Sequence, residues 1–549
     1  MIALLSSLLF FSATAFFLDD EDEADHKDDQ DETEADTDTA DDDAEAEAAA
    51  AKAGSGERIR VLSHRHTGQV VGEEMFGANV IYGVNTEGGQ VTENFEEALD
   101  KLDVDYLRFP SGKGDGVDPE DEGKDWLDVT DIDYDSAGNP HLNAEAQAFL
   151  DWASGDANDG EGYQVKLVVP TKSIPLDEYQ DYSRQIEDFA YLVGRDYPDT
   201  VAVFEIGNEY YIDMPETEYG QKAGIAAKAL ADGLERAGLD EDEQPQILVQ
   251  VANVSSASEF SRALDSRGYV DRITDANQRI IDQLDDESRD AIDGVVGHYY
   301  LHTEGRSIDQ MSSKDNLLST KYEVWQKNFD KPLDLHVTEW NTSLHDPSKG
   351  GLASAQMMLT QVDTMVSMGA SSADVWPVQH NTHNDLAGGS DDEVETDAQG
   401  HVTNTVNGMV FDLMAEALPG SERIELDLSS ESDDYGVMAY ESDTTSTIYV
   451  FSKTDEPLDL DFDFSELVGR YTSAYGLLVG IDEDNARTDG IQYSGGNEQV
   501  AADHVTVDGE AYYYNENDAA PEATRFAVRS PRLSLSLDPY EFVQLTFRH

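Results

Sequence analysis

The sequence predicts an α/β protein built as a (β/α)8 barrel with a C-terminal antiparallel β-sandwich. Between residues 75 and 419, eight apolar strand-like runs alternate with stretches of helical periodicity, which is the pattern of such a barrel. After Gly420 the chain changes to short alternating runs separated by turn residues, as in a β-sandwich. A chain of 549 residues is also too long for one ordinary core, so at least two folded domains are expected.

The eight predicted strands are apolar runs flanked by Gly, Pro and Asn, which favours strands over buried helix segments. They cover residues 75–83, 104–110, 164–170, 201–207, 246–254, 294–300, 332–340 and 372–378. The alternative is an open doubly wound sheet, which normally has a glycine-rich phosphate turn after its first strand. The stretch "FGANVIYGVN" is not such a turn, so a closed barrel is preferred.

The helices between these strands are predicted from their apolar faces. "TENFEEALDKL" places Phe95, Leu99 and Leu102 on one face, and the alanine-rich stretch that follows the fourth strand ends at Gly238, a usual helix stop. "ASAQMMLTQVDTMVSMG" has methionines at helical spacing, which indicates packing rather than a cofactor site. The last predicted helix, "TVNGMVFDLMAEALPG", follows the eighth strand.

Residues 420–549 are predicted to form the β-sandwich, from nine short runs such as "STIYVFSK" and "EFVQLTFRH". Residues 57–74 precede the first barrel strand, and we expect them to add one or two edge strands to this sandwich. The barrel domain is accordingly assigned to residues 75–419.

The charge balance restricts the partners that the protein can have. The chain has 116 acidic and 35 basic residues, for a net charge of −81, which repels nucleic-acid phosphates and anionic lipids. Such an acidic surface indicates a high-salt habitat, where screening relieves self-repulsion. The absence of cysteine excludes disulfides, zinc–thiolate sites and a cysteine nucleophile.

The N-terminus indicates export. Residues 1–18 form an apolar run of signal-peptide length with Ala-Thr-Ala at 13–15, although the usual basic start is absent. An uncleaved membrane anchor is the alternative, since the run is barely long enough to cross a bilayer. Residues 19–56 are strongly acidic and are predicted to be a disordered linker. We therefore expect an extracellular or cell-surface protein of unknown oligomeric state.

Polar and aromatic side chains recur at the carboxyl ends of the predicted strands, where a barrel of this kind gathers its functional groups. In chain order they are Arg108, Asn208, Glu209, His298, Tyr300, Glu339 and Trp376. Glu209 follows strand four and Glu339 follows strand seven. The two carboxylates are three strands apart around a closed ring, so they can face each other.

Two carboxylates across a sugar-sized cleft are what glycoside hydrolysis requires, one protonated to assist the leaving oxygen and one ionised to attack the anomeric carbon. Repulsion by the ionised group raises the pKa of the other. Arg108 would keep the attacking carboxylate ionised and Tyr300 would position it. Asn208 is assigned to the sugar's 2-hydroxyl, and Trp376 offers an apolar face to the ring.

The motifs "FEIGNEYY" and "LHVTEWNTS" resemble the acid/base and nucleophile motifs of the retaining glycoside hydrolases of clan A. The resemblance covers nearly everything after residue 57 and implies Glu209 as acid/base, Glu339 as nucleophile and His298 as part of a His-x-Tyr motif. "TEWNTS" is similar to family 39, which includes β-xylosidases and α-iduronidases. "EIGNE" and "LRFPSG" are closer to the arabinofuranosidases of family 51 and the heparanase-like family 79. The sugar is therefore open among xylosidase, arabinofuranosidase and glucuronidase activities.

Several other residues have simpler interpretations. Strand alternation places Glu205 on the same face as Glu209, and a structural ion pair with Arg108 is its expected role. "PVQHNTHND" contains His380, His383 and Asp385, which could bind a metal, but a histidine beside a sugar subsite is preferred and His380 is assigned to substrate binding. "DIDYDSAGN" lacks the glycine of a calcium loop and is predicted to be a hairpin. No metal and no cofactor are assigned.

The sequence thus predicts a retaining glycosidase that acts on a poly- or oligosaccharide through two glutamates. Two alternatives remain open at this point. One is a catalytically silent barrel that binds carbohydrate at a cell surface, and the other is a polysaccharide lyase that uses the same cleft.

Overall fold

The computed structural model describes residues 57–115, 126–155, 162–240, 243–301, 317–342, 350–380, 382, 384–388, 401–481 and 521–549, with four short strands between 491 and 512. The predicted export segment and acidic linker lie outside these residues. So does His383. Among the helices of the described ranges, none combines the length and the apolar character that crossing a bilayer requires.

All eight predicted strands form one closed barrel of parallel strands. Their bounds are Gly77–Asn79, Tyr106–Phe109, Gln164–Val169, Val201–Ile206, Gln246–Gln250, Gly294–Leu301, Asp334–Thr342 and Ser372–Val375, here called strands one to eight. Strand eight pairs with strand one through Asp374 and Gly77, and every other strand pairs with its neighbour in sequence. This closure confirms the predicted barrel and excludes the open sheet.

Helices cover the outside of the barrel, and local sequence sets their ends. The helices are Glu93–Lys101, Ala144–Ala153, Leu176–Asp196, Glu216–Ala237, Tyr269–Ile281, Asp286–Ala291, Leu318–Asn328, Gly351–Met368 and Val406–Ala417, with a short helix Ser465–Val468 in the second domain. Side chains of Asn143 and Thr405 cap two of them by accepting backbone N–H groups. The methionine-rich helix Gly351–Met368 buries its methionines against the core, so they pack as predicted.

The barrel interior is filled by layers of side chains, and these are unusually polar. Val203, Leu248 and Val296 form a small apolar layer. Near it, the buried Lys166 ammonium donates to both oxygens of Asp374, at 2.6 and 2.8 Å. His336 is also buried, and neither of its ring nitrogens has a hydrogen-bond partner. The charges in the barrel are therefore enclosed in a medium that screens them poorly.

The second domain contains a nine-stranded, mostly antiparallel sheet folded over its own core. In spatial order the strands are Pro521–Ala527, Ser473–Ile481, Phe542–Arg548, Thr445–Ser452, Tyr435–Glu441, Glu422–Leu428, Glu57–Val70, Leu458–Asp463 and Arg532–Leu537. Residues from both halves of this order share one buried cluster, which includes Leu545 from the first half and Ile424, Phe462 and Leu535 from the second. The sheet therefore makes two facing layers, as a sandwich does.

The N-terminal strand joins the two layers of this sandwich. Residues 57–60 pair in parallel with 460–463, and residues 61–70 pair antiparallel with 422–428. The expectation of an edge strand was wrong, because the strand has a partner on each side. Arg423, in the neighbouring strand, donates to both carboxylate oxygens of Asp363 on a barrel helix at 2.8 Å, which ties the sandwich to the barrel.

We predict that His336 makes the protein sensitive to acid. Burial and the charge of Lys166 lower the pKa of His336 from 6.5 to about 3. The neutral ring is therefore favoured in the folded state, and its contribution to stability is present above pH 6.5 and lost as the pH falls toward 3. The free energy of unfolding should depend more steeply on pH in the wild type than in His336→Leu, by at most about 1.4 kcal/mol per pH unit.

Urea titrations of both proteins at several pH values between 7 and 4 measure this difference. The carboxylates are common to both chains, so their titration contributes equally to each curve. Parallel curves for the two proteins would show that His336 is not the group responsible.

Candidate functional site

The carboxyl ends of strands one, two, four, six and seven bring one set of polar side chains together. Six predicted site residues belong to it, and they are Arg108, Asn208, Glu209, His298, Tyr300 and Glu339. Asn79, at the end of strand one, is a further member that sequence reasoning missed. No sequence motif marks it, because Asn is common at strand ends.

Arg108 is the centre of this set, with its guanidinium fully buried. It donates to both oxygens of Glu205 at 2.7 and 2.8 Å, to Glu339 Oε1 at 2.8 Å, and to the side-chain oxygens of Asn208 and Asn79 at 2.7 and 2.9 Å. Burial opposes its charge, but the two glutamates outweigh burial and raise the pKa of Arg108 further. The expected ion pair between Glu205 and Arg108 is present.

A bulge in strand seven turns Glu339 into the barrel. The register passes from Gly297 opposite Val337 to His298 opposite Glu339, so Thr338 is the extra residue. Thr338 lies against Glu205 in the interior, with its hydroxyl 3.3 Å from that carboxylate. Glu339, the next residue, also faces inward. In a regular strand successive side chains point to opposite faces, so either Thr338 or Glu339 would have pointed outward.

Glu339 is held through both carboxylate oxygens and is nearly buried, with a side chain 10% exposed. Arg108 donates to Oε1, and the Tyr300 hydroxyl donates to Oε2 at 3.0 Å. Burial and the charge of Glu339 raise the pKa of Tyr300 well above its ordinary value, so this phenol remains a hydrogen-bond donor. Both contacts hold the carboxylate of Glu339 in one orientation.

Glu209 lies on a strained turn and is more exposed than Glu339, with a side chain 25% exposed. Its φ angle is 48°, in the left-handed region, directly after Gly207 at 81° and Asn208. A non-glycine residue in this region is uncommon, and such strain is concentrated at functional sites. The carboxylate accepts from the Tyr211 hydroxyl at 2.8 Å, and its Oε1 lies 3.2 Å from His298 Nδ1.

The imidazole of His298 couples the two glutamates. Its Nδ1 lies 3.2 Å from Glu209 and 3.5 Å from Glu339. Burial lowers the pKa of His298, but the two carboxylates outweigh burial and raise it. For Glu209, burial raises the pKa, but hydrogen bonds from His298 and Tyr211 together with the charges of His298 and Lys172 lower it to about 2. These charges alone would place a proton on the His298 imidazole and leave Glu209 ionised.

Glu209, His298 and Glu339 each offer one atom that could bind a metal, a carboxylate oxygen or a ring nitrogen, and these three atoms lie within 4.8 Å of one another. This spacing would also suit a metal ion, and in the described part of the chain it is the set of carboxylates and imidazoles close enough to do so. Arg108 and Tyr300 already bond to both oxygens of Glu339. We therefore assign no metal to these three residues.

Trp376 and His380 form one wall beside these residues. The Trp376 ring lies edge-on to Tyr300 with centroids 6.5 Å apart, and His380 lies edge-on to Trp376 at 5.5 Å. Burial and the charge of Lys113 lower the pKa of His380 to about 4, so the ring is neutral near pH 7. Asp385 accepts the backbone N–H of His380 at 2.6 Å, which explains this aspartate as a loop anchor.

The stretch that was compared with a calcium loop has a structural role. The stretch "DIDYDSAGN" forms the predicted hairpin, with Ile132–Tyr134 paired antiparallel to Pro140–Leu142. Asp135 caps its turn by accepting backbone N–H groups of Ala137 and Asn139 at 2.8 and 2.9 Å. Local backbone hydrogen bonding is thus the role that the geometry gives this aspartate.

A buried aspartate, Asp115, fastens the loops under the site. It is fully buried and accepts backbone N–H groups from Thr171, from Lys172 at 2.9 Å and from Asn208 at 2.7 Å. It thereby joins the segments after strands two, three and four, and it fixes the residue before Glu209. The sequence did not identify Asp115, because nothing distinguishes it from the acids that follow it in the same loop.

We predict that Asp115→Ala lowers the free energy of unfolding by about 3 kcal/mol, because it leaves three backbone donors without their acceptor. Asp115→Asn keeps one acceptor oxygen and should lose less. Asp133→Ala, an exposed aspartate in the hairpin, is the matched control and should stay within about 0.5 kcal/mol of the wild type. Urea unfolding measures all three, and equal stability of Asp115→Ala and the control would contradict the role given to Asp115.

Solved structures similar to this fold are glycoside hydrolases. The family 51 arabinofuranosidase from Xanthomonas axonopodis pv. citri is 14% identical, with a TM-score of 0.53 over 89% of this chain and 99% of that one. The α-L-arabinofuranosidase from Thermotoga maritima in complex with arabinose has the same identity and coverage, with a TM-score of 0.54. A family 30 endoxylanase from Clostridium papyrosolvens C71 is 13% identical, with a TM-score of 0.51 over 90% of this chain and 100% of that one.

No family model matches the sequence, and no curated protein matches it. The likeness to the solved structures therefore establishes the fold rather than the activity. At that level it confirms the resemblance inferred from the motifs. The chain has the barrel-and-sandwich fold of clan A glycoside hydrolases.

Proposed function

We propose that the protein is a retaining glycoside hydrolase. The observation that carries this proposal is the approach of Glu209 and Glu339, since one oxygen of each carboxylate and one ring nitrogen of His298 lie within 4.8 Å of one another. Retaining enzymes have carboxyl groups about 5–5.5 Å apart, whereas inverting enzymes leave about 6.5–9.5 Å for a water molecule. The short separation supports direct attack by one carboxylate on the sugar.

Glu339 is the proposed nucleophile. Its charge is stabilised by the buried guanidinium of Arg108, and Tyr300 fixes its second oxygen. One carboxylate oxygen attacks the anomeric carbon while the bond to the leaving oxygen breaks, which gives a covalent glycosyl-enzyme. The negative charge of Glu339 is lost in this step.

Glu209 is the proposed acid and base. Its greater exposure and its place beside Glu339 suit a group that contacts the leaving group and then water. In the first step it gives a proton to the departing oxygen. In the second it takes a proton from the water that attacks the anomeric carbon, and Glu339 leaves as a carboxylate. The proton count is thus restored after one cycle.

Four other residues are proposed to bind the sugar. The side-chain oxygen of Asn208 is engaged by Arg108, which leaves its amide nitrogen to donate to the 2-hydroxyl. Trp376 would pack against the sugar ring, and the neutral His380 beside it can bond to a hydroxyl. His298 contacts both glutamates and would contact a substrate between them.

The proposed substrate is a poly- or oligosaccharide with xylosyl, arabinofuranosyl or glucuronosyl units. The similar solved structures include arabinofuranosidases and an endoxylanase, which favours a pentose. A panel of aryl xyloside, arabinofuranoside, glucuronide and galactoside, assayed at high salt, tests the proposal. Binding without turnover would indicate a silent carbohydrate-binding barrel, and unsaturated products that absorb in the ultraviolet would indicate a lyase.

We also propose that the protein is exported and works at high salt. The apolar run at residues 1–18 supports export, either with cleavage or as a membrane anchor, and the net charge of −81 supports a saline habitat. A polymeric carbohydrate outside the cell is consistent with both.

We predict that Glu339→Ala and Glu209→Ala abolish most turnover while the fold survives. Loss of the acid/base should cost about 10²–10⁴ in kcat on substrates with poor leaving groups. Azide should rescue Glu339→Ala with inverted configuration, because the small anion attacks from the vacated side. It should rescue Glu209→Ala on activated aryl glycosides with retained configuration, because Glu339 still forms the intermediate.

Product configuration is read by NMR, and circular dichroism confirms folding of each variant. Glu287→Ala, an exposed acid on an outer helix, is the matched control and should keep full activity. Full activity in both active-site variants would end the assignment.

A further inference from the structure

A buried glutamine lies beside Nε2 of His298, whereas the two glutamates lie beside Nδ1. Gln250 is the last residue of strand five and is 1% exposed. Its backbone N–H donates to the Tyr219 hydroxyl at 2.7 Å, and that hydroxyl donates to the carbonyl of Ile206. The side-chain nitrogen of Gln250 lies 3.4 Å from His298 Nε2. The mechanism proposed above makes no use of this residue.

The orientation of the Gln250 amide is fixed by a backbone donor. The N–H of Tyr210 points at Gln250 Oε1, with 3.3 Å between the heavy atoms. A backbone N–H can only donate, so the amide oxygen must face Tyr210. The amide NH2 group must then face the imidazole. The Tyr210 N–H, which is always a donor, therefore distinguishes the oxygen end of the Gln250 amide from its nitrogen end.

An NH2 group at this distance requires a lone pair on His298 Nε2. The ring proton is then on Nδ1, which lies 3.2 Å from Glu209 and 3.5 Å from Glu339. On the basis of the function proposed above, we infer that Gln250 is a positioning residue that holds His298 as the neutral Nδ1–H tautomer and so keeps the catalytic proton on Glu209. Gln250 itself does not touch the reacting atoms.

Opposing charges make such a device necessary. His298 is faced by Glu339 from strand seven, by Glu209 from the end of strand four and by Arg108 from strand two, and Lys172 acts on Glu209. The two carboxylates favour an imidazolium, and Arg108 opposes it. An imidazolium would turn its Nε2–H against the amide hydrogens of Gln250, so two donors would face each other in a buried site.

The protonation of Glu209 depends on this balance. The charge of His298 is one cause that lowers the pKa of Glu209, whereas burial raises it. With a neutral His298 that charge no longer lowers the pKa of Glu209, so burial counts for more against the remaining hydrogen bonds and the charge of Lys172. The change is toward the protonated acid that the first step needs. Gln250 thus favours the state in which the proton lies on the carboxyl group of Glu209 and His298 is neutral.

The variant Gln250→Glu tests this by exchanging one donor for an acceptor of the same shape. Its carboxylate can still accept the Tyr210 N–H, but it also accepts from His298 Nε2–H and favours the imidazolium. We expect kcat at neutral pH to fall at least about tenfold with a smaller change in KM. The pH optimum should move toward acid, because Glu209 beside an imidazolium binds its proton only at lower pH.

Gln250→Met is the matched control, since it has similar length but neither donor nor acceptor. It should lose less activity than Gln250→Glu and show a smaller acid shift. An unchanged pH profile in Gln250→Glu, or equal shifts in both variants, would overturn the inference.

Histidine-selective ¹⁵N NMR of the wild-type protein tests the tautomer directly, with His298→Gln used to assign the resonances. At neutral pH we expect an unprotonated Nε2 and a protonated Nδ1. A protonated Nε2 would overturn the inference even if Gln250→Glu fails to fold. The expected tautomer in a protein that hydrolyses no glycoside would support the tautomer assignment and count against the proposed function instead.

Discussion

The candidate site depends on one buried cation. Arg108 binds Glu205, Glu339, Asn208 and Asn79 at once, and these residues come from strands one, four and seven and from the turn that follows strand four. A buried guanidinium is costly unless its donors are satisfied. The barrel supplies the acceptors from all of these directions. The same contacts that stabilise Arg108 therefore fix the nucleophile candidate and the turn that leads to Glu209.

The sequence predicted the barrel well because its signals are repeated and local. Eight apolar runs alternate with amphipathic helices, and each run became a strand of the closed sheet. The carboxyl ends of parallel strands meet on one face of a barrel, so Arg108, Glu209, His298 and Glu339 could be grouped from their positions alone. The role of Glu205 also followed from alternation along strand four.

The missed features depend on contacts rather than on periodicity. The bulge at Thr338 turns two successive residues inward, and no residue type in "LHVTEWNTS" requires it. Asn79, Asp115 and Gln250 act through backbone groups or through neighbouring side chains that are distant in sequence. Strand Glu57–Val70 was expected at an edge, because its pairing on both sides depends on how the sandwich folds over.

The burial of the site also explains how precise electrostatics can coexist with an extremely acidic surface. At 1 M salt the Debye length is about 3 Å, so exposed charges more than a few ångströms apart interact weakly. Salt cannot enter the space around Arg108, which is fully buried with its partners Glu205 and Glu339 nearly so. Screening by salt thus relieves repulsion among surface carboxylates and leaves the ion pairs of the barrel interior at full strength. In this architecture the surface can adapt to salt without altering the charges that control the two glutamates.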